Sequence, residues 1–354
     1  MTRVAQRRTA SRCRCSAPAT CRAWNSHSNL RRFASFRKVL IMSLDPQIEA
    51  LLEKLAEGGE PAPESRTVEE NRDLVSSFAT LAGDVELVGN VHDAVAIAEG
   101  LEVPIRIYTP TTLPCSGPRP VTVFFHGGGW VLGDLDSQDH IARIVANRSG
   151  TIVVSVDYRL APEHRFPAAI EDAYAALTWV AANAGGFGGD GQSIAVFGES
   201  AGGNLAAALV QEAQRRGGPH IALQVLAYPA VDRFDDSPSM YENMAGPLLS
   251  RSWLEWFWGL YLNTPDEGAD LRVSPGRSDE LAGLPPAVIV TAEHDPLRDQ
   301  GGQYAQKLAD ADVPVTHLPI KGATHAFLSF TGSVQLSRDV VNQLGDAVAT
   351  AFND

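Results

Sequence analysis

Long apolar runs are missing from this chain. No uninterrupted stretch of its 354 residues approaches the roughly 18 to 20 apolar residues of a membrane span. Excess positive charge is missing too. The formal net charge is −13, which argues against a nucleic-acid partner. Cysteine is scarce. Of four in the chain, Cys13, Cys15 and Cys21 lie near the start, and only Cys115 falls in the body, in a Pro/Gly-rich turn. A lone cysteine excludes an internal disulfide framework there and suits a reducing, cytoplasmic setting. Cys13, Cys15 and Cys21 lack the spacing to a fourth ligand that a zinc site needs, so no metal is expected.

Acidic residues are absent from one segment altogether. Residues 1–41 hold ten Arg or Lys and no Asp or Glu. With those ten set aside from −13, the remaining residues carry −23. The segment is Arg- and Ser-rich and has no apolar h-region. It reads as a disordered basic leader or as residues ahead of a mis-assigned start, since Met42 opens a sensible sequence with an apolar stripe at helical spacing from Ile48 to Leu55.

What is present is a globular composition, 44% hydrophobic and 20% charged, long enough for one large α/β domain over 42–354. Short β-branched runs alternate with helical patterns. Strands are expected at Val103–Tyr108, Val121–Phe125, Thr151–Val156, Ser193–Phe197, Leu223–Ala227, Ala287–Thr291 and Val315–Pro319. Helices are expected near His140–Asn147, Pro167–Asn183, Asn204–Arg216, Leu297–Asp310 and Gln335–Phe352. Apolar strands alternating with helices predict a mostly parallel central sheet covered on both faces. The alternation breaks after Leu223–Ala227. Nearly sixty residues separate that strand from the next, rich in aromatics (Trp253, Trp256, Phe257, Trp258, Tyr261), far more than a crossover needs. They read as a helical cap, contributed by about 42–90 and 232–275, with the aromatic stripe mainly serving the core of the cap.

The chemistry centres on Gly198-Glu199-Ser200-Ala201-Gly202. It follows an apolar strand and precedes an alanine-rich helix, the layout of a nucleophile elbow. The pentapeptide alone is weak, because a glycine-rich strand-to-helix turn can produce it by chance. A serine nucleophile also needs a base, an orienter for that base, and donors for an oxyanion. The strand Val121–Phe125 runs into His126-Gly127-Gly128-Gly129-Trp130, where bare backbone can approach a ligand. Gly127, Gly128 and Ala201 are the expected oxyanion donors, and the helix start adds a favourable dipole. Ala287–Thr291 leads into Asp295-Pro296, so Asp295 is the expected acid, ahead of Glu293 and of Asp299 a turn later. His325 follows the next strand and completes the chain order Ser, Asp, His. His317 lies inside that strand and His294 adjoins the acid, so neither suits the base.

With these motifs in place the chain resembles the hormone-sensitive-lipase family of α/β hydrolases, in its bacterial esterase branch. The likeness runs from about Met42 to the C-terminus. It is carried by His126–Trp130, Asp157-Tyr-Arg-Leu-Ala-Pro-Glu163, Phe166-Pro-Ala168, Gly198–Gly203, Asp295-Pro-Leu-Arg-Asp299 and His325-Ala-Phe327. It implies an α/β-hydrolase fold with a helical cap, hydrolysis of carboxylic esters with short to medium acyl groups through an acyl-enzyme on Ser200, and no cofactor. Glu199 departs from the Asp more usual in this branch. An amidase or deacetylase on the same triad stays open. A ligand receptor on the same scaffold would be expected to lack the base. The partner expected is a small-molecule ester. Oligomeric state, a homodimer included, stays open.

Overall fold

The computed structural model describes residues 44–57, 63–111 and 117–353. The basic segment 1–41 and all four cysteines lie outside these residues, so the expectations placed on them find no structural counterpart. No helix among the described residues is long and apolar enough to cross a membrane.

Eight strands form one sheet: β1 (Asn90–Ala98), β2 (Leu101–Thr109), β3 (Arg119–Phe125), β4 (Ile152–Val156), β5 (Gly189–Glu199), β6 (Leu223–Ala227), β7 (Ala287–His294) and β8 (Val315–Thr324). Their order is β1-β2-β4-β3-β5-β6-β7-β8. β1 pairs antiparallel with β2, and β2 antiparallel with β4. Every later neighbour is parallel. This is the α/β-hydrolase architecture.

The helices are α1 (Pro46–Ala56), α2 (Val68–Ser77), α3 (Asp139–Ser149), α4 (Ala168–Asn183), α5 (Ala201–Arg216), α6 (Pro238–Glu242), α7 (Arg251–Tyr261), α8 (Arg298–Asp310) and α9 (Gln335–Ala351). Alternate strand residues feed two cores, as the two-residue period of a strand requires. Val123, Val154 and Val196 face the layer holding α4, α5 and α8. Phe124, Val153 and Phe197 face the layer holding α3 and α9. All five residues of β4 are buried, which is why the central strands read as continuous apolar runs.

All seven expected strands are present, and β1 is an eighth. The expected N-terminal helical stretch divides in two. Asp45 caps α1 through Gln47 and Ile48 N–H. Ile48 and Leu51 of α1 join the core beside Ala323, Phe330 and Val340, and Asp45 N–H bonds Gly322 O at 3.0 Å. α2 carries a capping box between Thr67 and Glu70. It lies elsewhere, pinned by Arg72. That guanidinium grips both oxygens of Glu163 at 2.9 and 2.8 Å and the carbonyls of Val131 and Ala161 at 2.9 and 3.1 Å. The insertion after β6 is less helical than expected: α6 and α7 are its only α-helices, joined by turns and short 3-10 segments.

Candidate active site

β5 ends at Glu199 and α5 begins at Ala201, leaving Ser200 alone between them with φ +53° and ψ −116°. A non-glycine residue in that conformation is strained and persists only where its surroundings fix it. The fixing is visible. Ser200 N–H bonds Ala227 O at 2.9 Å, and Asn204 N–H returns to Ser200 O at 3.0 Å. The turn is also too tight for side chains. A β-carbon on Gly198 would meet Gly202 O at 2.0 Å, and one on Gly202 would meet Phe125 O at 2.1 Å.

Ser200 Oγ lies 2.9 Å from His325 Nε2. His325 Nδ1 lies 2.7 Å from Asp295 Oδ2. Asp295 follows the last residue of β7 and His325 the last residue of β8, so adjacent parallel strands deliver the pair. Asp295 is wholly buried and His325 nearly so. The second carboxylate oxygen of Asp295 accepts Leu297 N–H at 2.8 Å, which fixes the orientation of the group. The rival residues are engaged elsewhere. Glu293 accepts Gly322 N–H at 2.7 Å. Asp299 accepts Ser239 N–H at 2.8 Å and pairs with Arg298. His317 lies on the exposed side of β8 and meets Thr291 Oγ1 at 2.9 Å.

The glycine loop after β3 lies beside the elbow. Gly128 and Gly129 have φ +116° and +61°. Gly128 O accepts both Val131 N–H and Leu132 N–H, at 3.1 and 2.8 Å, and a β-carbon on Gly128 would meet Leu132 O at 2.1 Å. The N–H of Gly127, expected as an oxyanion donor, has another partner: it donates to Gln138 Oε1 at 3.3 Å. Among the described residues, the N–H groups of Gly128 and Gly129 have no partner. Gly129 was not singled out by the sequence, where the three glycines look alike. Ala201 N–H opens α5 with no intrahelical partner, as the first turn of any helix does.

Sequence reasoning also gave no role to Gln138, Tyr228 or Glu199. Glu199 is buried and accepts hydrogen bonds from Gln138 Nε2 and from Tyr228 OH. Burial pushes its carboxyl above the usual range, and the bonds from Tyr228 and Gln138 oppose that rise.

Ser200, His325, Gly128 and Gly129 open onto one cavity of about 130 Å³. Its other walls are mostly apolar, with Leu74 and Val75 of α2, Phe78, Leu297, Phe330 and, from α7, Trp253, Leu254 and Phe257; Gln138, Glu199, Ser137 and Ser329 add polar groups. Trp256 packs edge-on against Trp253, while Trp258 packs on Trp130 with ring centres 4.4 Å apart. The aromatic stripe therefore divides between core packing and cavity wall. A hydroxyl backed by an imidazole and a carboxylate, under unpaired N–H groups in an apolar cavity, is equipped for acyl transfer.

A family model described as alpha/beta hydrolase fold matches residues 122–329. Esterase LipI of Mycobacterium tuberculosis is 44% identical over 239 residues, covering 67% of this chain and 75% of the relative. An arylesterase of Saccharolobus solfataricus is 36% identical over 312 residues, covering 88% of this chain and all of the relative. Among solved structures, the hyperthermophilic esterase from the archaeon Pyrobaculum calidifontis superposes with a TM-score of 0.82 at 36% identity, covering 87% of this chain and 98% of its own.

Proposed function

We propose, for a chain that belongs to the hormone-sensitive-lipase family of α/β hydrolases and is a serine carboxylic ester hydrolase, that Ser200, His325 and Asp295 are its catalytic triad. The observation carrying this assignment is the unbroken hydrogen-bonded chain from Ser200 Oγ through the imidazole to Asp295. His325 Nε2 takes the serine proton as Oγ attacks the ester carbonyl. Asp295 holds the Nδ1 proton and stabilises the imidazolium. The imidazolium then protonates the departing alkoxide, and His325 activates the water that cleaves the acyl-enzyme.

The oxyanion hole is assigned to the N–H groups of Gly128, Gly129 and Ala201. Gly127, bonded to Gln138, is left to hold the loop. One donor of this kind is worth about 10²–10³ in kcat. The cap is assigned to the segment around α2 together with 232–275. A small apolar cavity of about 130 Å³ favours short acyl groups. The same triad can attack an amide, and a bovine relative 33% identical is named an arylacetamide deacetylase, but the relatives at 44% and 36% identity named above are esterases, which favours the ester reading. The single cysteine of the body, Cys115, suits a cytoplasmic setting.

The deciding experiment is Ser200→Ala. It should lose hydrolysis of p-nitrophenyl butyrate and fluorophosphonate labelling while keeping the fold. Activity retained in that variant would overturn the assignment.

A further inference from the structure

Beside the nucleophile sits a carboxylate that the mechanism above does not use. Glu199 is 2% exposed, and no Lys or Arg among the described residues pairs with it. A buried carboxylate without a cation costs stability, so an ordinary core would carry an apolar or amide side chain there.

Its partners reach both halves of the machinery. Gln138 donates to it through Nε2 and, through Oε1, accepts the N–H of Gly127 at 3.3 Å. The glycine loop also lies directly on the carboxylate, since a β-carbon on Gly127 would meet Glu199 Oε1 at 2.6 Å. On the other side Tyr228 OH donates at 2.5 Å. The ring of Tyr228 stands edge-on to the His325 imidazole, centres 4.9 Å apart. Tyr228 is itself fixed by its N–H to Val290 O at 2.7 Å.

We propose that Glu199 is a positioning residue for ester hydrolysis: bonded to Gln138 and Tyr228, it sets the height of the Gly127–Gly129 loop relative to Ser200. The inference rests on the assignment of the oxyanion hole to that loop. The ionised form suits the role, because both oxygens then accept. The titratable groups around it are Tyr228, His325 and Tyr158, with Asp295 beyond Tyr228. His325 is the only one of these that becomes a cation, when it takes the serine proton.

The test uses the full chain and p-nitrophenyl butyrate, with a butyl trifluoromethyl ketone as the oxyanion-forming inhibitor. Glu199→Gln keeps the shape but weakens the clamp. Its kcat should fall about 10- to 100-fold with KM within about twofold. The inhibitor should weaken by a similar factor. Gln138→Leu should show the same pairing of lost kcat and lost inhibitor affinity, and Glu199→Asp should recover part of both. Unchanged kcat in Glu199→Gln, or a lost kcat with inhibitor affinity intact, overturns the proposal. An active Ser200→Ala would instead overturn the assignment beneath it.

Discussion

The ring of Phe257 stands directly in front of Gly129: a β-carbon built on that glycine would meet Phe257 Cδ1 at 2.2 Å. Helix α7, assigned to the cap, therefore touches the loop assigned to the oxyanion, and Phe257 limits the space left for an acyl chain.

Phe257→Ala should move the preference of the enzyme toward longer acyl chains. The residue is buried but borders the cavity, so its removal enlarges a space of about 130 Å³ as well as loosening packing. Buried Phe→Ala changes cost about 3–5 kcal/mol, and a side chain with one face on a cavity belongs at the low end. The measurement is kcat/KM across p-nitrophenyl esters of increasing length. An unchanged optimum would mean that Phe257 does not bound the acyl site. Gly129→Ala should instead abolish activity at every chain length, because the ring blocks its β-carbon.

Asp295→Asn separates the two carboxylates that the Asp295–Asp299 motif offers. Asp295 touches His325; Asp299 holds Ser239 N–H and Arg298. Neutralising the orienter of a triad histidine leaves the geometry in place but favours the wrong tautomer, with kcat falling on the order of 10⁴-fold. Asp295→Asn should fall by about that much with KM little changed. Asp299→Asn should stay within about tenfold, its loss showing mainly as a lower melting temperature. Equal losses in the two variants would contradict the assignment.

The parts legible in the sequence share one property: they sit at strand ends in chain order. Ser200 and Asp295 follow the buried, apolar ends of β5 and β7, and His325 follows β8, of which only the last three residues are buried, so strand ends located all three. β1 escaped notice because its inward face is only Ala94, Ala96 and Ala98, while Val95 and Ile97 point outward and are 47% and 65% exposed. On an edge strand the apolar signal is small and the polar residues interleave. The stripe of α1 announced a buried face but not its partner, and the partner proved to be the core beside β8 and α9. Gln138 and Tyr228 carry no motif at all. Gln138 lies eleven residues from Gly127 and Tyr228 twenty-nine from Glu199, and only the parallel stacking of β3, β5 and β6 brings them to one point.

Acid should unfold this protein through two buried histidines. His126, at the start of the glycine loop, is fully buried, stacked on Tyr158 with ring centres 4.3 Å apart, and bonded through Nδ1 to Gly127 O at 2.7 Å. Burial holds its pKa down at about 4, against the opposing pull of the bond to Gly127 O and of the Asp134 charge. His140 on α3 is likewise pushed to about 4 by burial, against the opposing bond to the Leu328 backbone, with Asp139 raising it and Arg338 lowering it further. The unfolded chain takes up these protons near pH 6.5, the folded chain only near pH 4. Between those limits the unfolded state binds more protons, so stability falls as pH falls, by about 1.4 kcal/mol per pH unit for each histidine. Above pH 6.5 both contributions are fully present; below about pH 4 the slope from these two groups ends. Urea midpoints measured from pH 7.5 to 4 should decline across that window. His140→Gln, outside the catalytic constellation, should flatten the decline by about half relative to its own stability at pH 7.5. A stability curve level from pH 7 to 4.5 would show that these imidazoles do not stay neutral in the folded state.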